Sequence, residues 1–269
     1  MLTDRVSVDS ERGVVEKRYV ETARGEPRRE WRALRLLAEH APGIAPEPLR
    51  ADLGGDPPVV TMSLLPGQPL GEWPLTPEQE SALARALGQL WQSVPVDRVI
   101  AVPGEYGNEA EFVHALSELA SERPDPGPYP AVQAAYAVGL DWLTWAASVS
   151  GDPAARQPVF GQGDGDLANF LWDGARIRIV DFDDSGLSDR AFELAVLVEH
   201  ISAWLGVGLD ADQFCDRFDL TLAERARLAD CRRLAALHRL LLLQPGSAAS
   251  QRHPQGTVVH QAERVLGLF

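Results

Sequence analysis

Lysine is almost missing from this chain: of its 25 Lys and Arg residues, only Lys17 is lysine. An ammonium is a compact point charge, whereas a guanidinium is a planar fork. A chain that uses arginine for every other cation leaves two readings of Lys17: a chance occurrence, or a position that needs an ammonium. Positive charge as a whole is also scarce, since 39 Asp and Glu residues bring the formal net charge to −14. Nothing in such a balance replaces the counterions condensed on a phosphate backbone, which argues against nucleic acid as a partner. Cysteine is limited to Cys215 and Cys231, which lack metal-ligand spacing. They are expected to be free thiols in a reducing cytoplasm. The six histidines are scattered, with no pair at metal spacing. Apolar runs such as Leu240 to Leu243 fall far short of the ~18–20 residues of a membrane span. Charge interrupts Met1-Leu2-Thr3-Asp4-Arg5 at once, so no signal peptide is expected. No internal repeat or low-complexity tract is present.

What remains is an ordinary globular composition, 45% hydrophobic and 24% charged over 269 residues, room for one large domain or two unequal lobes. Strand signals crowd the beginning. Arg5 to Asp9 and Val14 to Tyr19 flank the turn Ser10 to Gly13, and Leu49 to Leu53 and Val59 to Leu64 follow. One helix, Pro27 to His40, interrupts them, with Trp31, Leu34 and Leu37 at apolar spacing. Leu65 to Pro69 reads as a connector. Helices then dominate: Thr76 to Val94, opened by a capping box and Pro77, then Glu109 to Ser121, Ala131 to Ala147, Arg190 to Leu205, Leu222 to Leu243 and Thr257 to Leu268. Pro124 to Pro128 reads as a loop. The expectation is an α+β chain, with residues 1–65 as a small, mostly β lobe and residues 66–269 as a larger helical lobe.

One hairpin lies amid the helices. Asn169 to Trp172 and Arg176 to Val180 alternate as paired strands around the turn Asp173-Gly174. A hairpin brings its ends together, so Asn169 and Asp181 are predicted neighbours, with Asp164 just upstream. Two carboxylates and an amide suit Mg²⁺, which takes hard oxygen ligands and shares them with phosphate. A carboxylate five residues before the asparagine is free to accept a hydroxyl proton. The spacing points to phosphoryl transfer.

Gln162-Gly163-Asp164-Gly165-Asp166-Leu167-Ala168-Asn169, then Val180-Asp181-Phe182, then Asp189 to Ala195 resemble the aminoglycoside phosphotransferase family. The resemblance implies a two-lobed protein-kinase-like fold and a kinase acting on a small molecule. By that resemblance Asp164 is the catalytic base, and Asn169 and Asp181 hold Mg²⁺. Val14 to Tyr19 resembles the family's phosphate-contacting lysine strand, with Lys17 in the lysine's place and Glu30 as its partner. Thr61 to Gly67 resembles the hinge, where backbone groups of Ser63 and Leu65 would bond the base of ATP or GTP. Asp189 reads as a helix N-cap. The implied acceptor is a hydroxyl of a small molecule. The net charge and the acidic run Asp210, Asp212, Asp216, Asp219, Glu224 suit a cationic antibiotic such as an aminoglycoside or a basic peptide. A monomer or weak homodimer is expected.

Two departures from the family pattern stand out. Gln162 occupies the place of a histidine that scaffolds the catalytic loop. No glycine-rich phosphate loop is recognisable, which leaves the turn Ser10 to Gly13 as the candidate lid. Both motivate an alternative, a pseudokinase-like protein that binds nucleotide or ligand without turnover. Asp181 and Asp183 also match loosely an aspartyl-nucleophile phosphatase motif, but at the end of a hairpin rather than after the first strand of an alternating α/β fold.

Overall fold

The first two strands form where valines alternate with polar residues. β1 (Arg5–Asp9) and β2 (Val14–Arg18) pair antiparallel, joined by a turn that closes on Gly13 at φ +64°. In this computed structural model, residues 5–20, 22–71, 73–122, 128–146, 156–244 and 246–269 are described. β3 (Pro48–Asp52) and β4 (Val59–Ser63) complete a sheet of order β1-β2-β4-β3. The edge strand β1 is exposed throughout.

Between β2 and β3, α1 (Glu26–His40) begins with proline in its first turn and buries Glu30, Ala33, Leu34 and Leu37. These positions recur at helical spacing and form one face. Among them a glutamate is out of place, and it is the one that bonds Lys17. The connector after β4 carries a short strand, β5 (Gln68–Pro69), which pairs with β7 (Phe170–Trp172). The expected hairpin of β7 and β8 (Ile177–Ile179) is thus the outer part of a three-stranded sheet, β5-β7-β8. Its turn lies one residue later than expected. Asp173 N bonds Arg176 O at 3.2 Å, and Gly174 takes the first central position at φ +96°, a place that favours glycine.

The helical part is built on α2 (Pro77–Ser93), α4 (Glu109–Glu122), α5 (Pro130–Ala146), α6 (Arg190–Val198), α9 (Leu222–Leu242) and α11 (Thr257–Leu266). Both α2 and α9 open on capping boxes, Thr76 with Gln79 and Thr221 with Glu224. α9 is the central helix, packed against α4, α5, α6 and α11. The expected helix 190–205 is two helices: His200 leaves helical geometry (φ −65°, ψ 142°) and its ring accepts from Ser202 N at 3.2 Å, starting α7 (Ile201–Trp204). Three further short helices, α3 (Val96–Val99), α8 (Ala211–Cys215) and α10 (Ala248–Arg252), and the pair β6 (Pro158–Gly161) with β9 (Gly186–Asp189) are additions to the sequence reading. The loop expected at 124–128 lies, except for Pro128, outside the described residues, as does Ala147.

A small sheet lobe with one helix therefore sits beside a larger helical lobe containing the hairpin, the protein-kinase-like arrangement. No helix among the described residues is long and apolar enough to cross a membrane. Cys215 and Cys231 are free and buried, and burial pushes the Cys215 thiol up to about 12.

Candidate active site

Lys17 stands in the middle of β2, paired in register with Val60 of β4. Alternation along the strand turns its side chain inward toward α1 and the hairpin end. The side chain is 9% exposed, and Nζ donates to Glu30 Oε2 at 3.0 Å, Asp181 Oδ1 at 2.5 Å and Asp183 Oδ2 at 2.8 Å. Burial by itself lowers an ammonium's pKa; here the three carboxylates outweigh it and raise Lys17 above its ordinary value. Glu30 is fixed in turn by the Tyr19 hydroxyl, which donates to Oε2 at 2.5 Å. Lys17 and Asp181, far apart in sequence, thus meet across the gap between the lobes.

Asp181 reaches this position through an unusual backbone. Its φ of +63° is the only positive value at a non-glycine among the described residues, a conformation that aspartate tolerates better than most. Phe182, fully buried against Phe160 with ring centroids 6.4 Å apart, anchors the chain just beyond. Burial and the charges of Asp183 and Glu30 push the Asp181 carboxyl up to about 7 against the opposing pull of Lys17.

The loop carrying Asp164 is organised by Gln162. Its Oε1 accepts from Asp164 N at 3.0 Å and Gly165 N at 3.1 Å, and its Nε2 donates to Asp181 O at 2.7 Å. One buried amide therefore braces both the loop and the end of the hairpin, the scaffold task that the sequence comparison assigns to histidine. Gly163 (φ +92°) and Gly165 (φ +74°) allow the loop to press against neighbouring backbone, since a Cβ would lie 2.7 Å from Asp184 O and 2.8 Å from Val196 O respectively. Asn169, in a single turn of 3-10 helix rather than in the strand, donates Nδ2 to Asp164 Oδ2 at 2.8 Å. Its backbone carbonyl accepts from Val180 N at 2.9 Å, making it the expected neighbour of Asp181. Burial raises the Asp164 carboxyl above its ordinary value, with Arg239 opposing.

A cavity of about 230 Å³ opens beside Lys17, Glu30, Asn169 and Asp181, roofed by Val6 and Val8 of β1 and reaching Ser63 and Leu65. Ser63 is partly engaged: its N–H bonds Glu47 O at 3.0 Å and its Oγ accepts from Glu47 N at 2.9 Å. No backbone hydrogen bond to Leu65 occurs among the described residues. Glu30, Asp181 and Asp183 bring carboxylate oxygens within 4.8 Å of one another, a donor set fit for a hard cation. Lys17 Nζ already bonds one oxygen of each, so the ammonium fills the centre of that group. Asp181, whose side chain is 42% exposed, and Asn169 both line the cavity.

Sequence reasoning gave no contact with Lys17 to Asp183, which bonds it at 2.8 Å, and left out Arg239, whose guanidinium donates to Asp164 O at 3.0 Å. It also missed the buried pair Glu105 and Glu193, which sits behind Gln162; Gln162 N donates to Glu193 Oε2 at 2.9 Å. An acid 31 residues from Gln162 in sequence has no signature in the one-dimensional pattern. Asp189 is the N-cap of α6, accepting from Ala191 N and Phe192 N at 3.1 Å each, and also pairs with buried Arg227. Four of the five residues of the acidic run have side-chain partners within the helical lobe. Asp210 caps α8, Asp212 pairs Arg232, Asp216 pairs Arg225, and Glu224 pairs Arg190.

A family model described as the phosphotransferase enzyme family matches residues 5–231. The chain belongs to that family, small-molecule kinases of protein-kinase-like fold. Among solved structures, an aminoglycoside phosphotransferase, APH(4)-Ia, is similar at a TM-score of 0.68 and 16% identity, covering 98% of this chain and 88% of that one. A choline/ethanolamine kinase family protein from Mesorhizobium loti is similar at a TM-score of 0.64 and 17% identity, covering 99% and 85%. Choline kinase LicA from Streptococcus pneumoniae follows at 0.61 and 14%, covering 98% and 88%. No curated protein matches the chain.

Proposed function

We propose that this kinase transfers the γ-phosphate of ATP or GTP to a hydroxyl of a small molecule, with Asp164 as the base. The observation that carries the reading is the meeting of Lys17 with Asp181 at the edge of a cavity of about 230 Å³, with Asp164 and Asn169 bonded to each other alongside. In the transfer the acceptor oxygen bonds to the γ-phosphorus as the bond to the bridging oxygen breaks. Asp164 takes the hydroxyl proton, and the nucleoside diphosphate leaves. Asn169 holds the Asp164 carboxylate in one orientation. Lys17, kept in place by Glu30, neutralises phosphate charge. The Ser63 carbonyl and the Leu65 N–H are the backbone groups offered to the base. Asn169 and Asp181, which line the cavity, would hold Mg²⁺, which would supply charge neutralisation on the phosphates.

The solved relatives include kinases of aminoglycosides and of choline, which supports a hydroxylated small molecule as acceptor. The reading of a cationic antibiotic drew on the net charge and on an acidic run, and four of that run's five side chains cap or pair within the helical lobe. A pseudokinase was motivated partly by Gln162, and the bonds Gln162 makes remove that motive. The test is transfer from labelled ATP and GTP to a panel of hydroxylated acceptors, with water as the default. Magnesium-dependent turnover that Asp164→Ala abolishes is the expected result. Nucleotide binding without any turnover selects the pseudokinase instead.

A further inference from the structure

Five arginines lie on α9: Arg225, Arg227, Arg232, Arg233 and Arg239. Four of them bond a carboxylate, Asp216, Asp189, Glu199 and Asp230 respectively. Arg239 is different. It is half-buried, and its one hydrogen bond among the described residues goes to the Asp164 carbonyl at 3.0 Å. A guanidinium has five N–H donors, so most of this fork is unused beside the proposed base.

Its surroundings narrow the choice of counter-ion. Asp164, Asp166 and Asp184 are near enough to act on Arg239 by charge, yet burial outweighs them and holds the guanidinium below its ordinary value. None of the three comes within ion-pair distance. Asp166 is engaged in capping, accepting from Ala168 N at 3.0 Å, and Asp184 is bound at 3.3 Å by Arg24 from the other lobe. His200 and His253 stand close enough to feel the charge of Arg239. The His200 ring accepts from Ser202 N at 3.2 Å through Nδ1, which leaves its Nε2 as the protonated nitrogen, another donor. A half-buried cation with no carboxylate at ion-pair distance is costly unless a ligand supplies one. The same fork repels a cation placed beside it.

We infer that Arg239 is the acceptor-recognition residue, and that the acceptor carries an oxyanion, a carboxylate or phosphate, near the hydroxyl that receives the phosphoryl group. This rests on the phosphotransfer reading above and deepens it, replacing a cationic acceptor by an anionic one. An oxyanion meets the Arg239 fork in bidentate geometry, which orients the neighbouring hydroxyl toward Asp164.

The test compares probes that each carry a hydroxyl on a short carbon chain: D-glycerate, glycerol 3-phosphate, glycerol and ethanolamine. Binding is measured by calorimetry on the full chain saturated with Mg–ADP, at matched ionic strength. At least one of the two anions is expected to bind about tenfold or more tightly than glycerol and ethanolamine, the size of one charge-assisted contact. Which of the two binds tells carboxylate from phosphate. Arg239→Ala should bring the preference to within about twofold, while Arg239→Lys keeps part of it. The thermal shift caused by Mg–ADP shows that each variant is folded. Glycerol or ethanolamine binding as tightly as the anions in the unaltered protein overturns the inference without any variant. So does an anion preference that survives in Arg239→Ala, or no anion binding at all. Magnesium-dependent nucleotide hydrolysis with the wrong ranking sinks this inference alone; the right ranking without any turnover sinks the kinase reading.

Discussion

Lys17 works as a compact charge that satisfies three carboxylates from three directions, Glu30, Asp181 and Asp183. A guanidinium of fixed planar geometry cannot reproduce that set. Lys17→Arg is therefore expected to raise the KM for nucleotide by about tenfold or more, although charge is kept, because positioning at the phosphates is lost. Steady-state kinetics with nucleotide varied reads this directly, and an unchanged KM would show that charge alone suffices. Asp164 is held by Asn169, and in the proposed function it is the base. Asp164→Asn should lower kcat by about 10²–10⁴-fold, the usual contribution of a positioned base, while Mg–nucleotide still raises the melting temperature. Asp164 and Asn169 were legible in the sequence because their spacing around a hairpin is local. Arg239 was not, since its partner in space lies 75 residues away.

At the scale of elements, the 162–169 loop depends on one side chain. Gln162→Leu leaves Asp164 N, Gly165 N and Asp181 O without the partner they have now, at about 1–3 kcal/mol for each buried group left unsatisfied. Stability should fall in chemical denaturation, and kcat should fall more than nucleotide KM changes, because the loop holds the base rather than the nucleotide. Gln162→His should recover part of both. Behind this loop, Glu105 Oε2 and Glu193 Oε1 have no other partner, and both crowd Gly161. Burial and the neighbouring Glu193 hold Glu105 protonated well above its ordinary value of 4.5. The unfolded chain loses that proton first, so stability declines as pH rises above 4.5. Glu105→Gln keeps the shape and removes the titration. It is expected to lose less stability than the unaltered chain between pH 5 and 8, measured by urea midpoints; equal slopes would refute a proton held on Glu105. The capping boxes of α2 and α9 were readable because they are local chemistry. The break at His200, the strands β6 and β9, and the shifted hairpin turn were not, because long-range pairing and packing decide them.

At the scale of the whole molecule, the lobes are joined by arginines at the start of α1. Arg29 donates to Gly104 O at 2.7 Å and Ser185 O at 3.2 Å, while Arg24 bonds Asp184 and stacks 4.1 Å above Tyr106. These contacts set the gap in which Lys17 meets Asp181. Arg29→Ala should loosen that gap, raising nucleotide KM several-fold with a small loss in melting temperature, since the contacts are largely solvent-exposed. A KM that does not move would place the closure elsewhere. By itself the sequence determined the two-lobed α+β plan, the hairpin, and that Asn169 and Asp181 would be neighbours, because periodicity, turn residues and short spacings are properties of adjacent residues. Tertiary structure alone decided that Asp183 shares the ammonium, that Gln162 braces the loop, and that Arg239 faces Asp164 without a carboxylate of its own. Those depend on which side chains long-range folding brings within hydrogen-bond reach, and a polar pairing across the chain leaves no periodic trace along it.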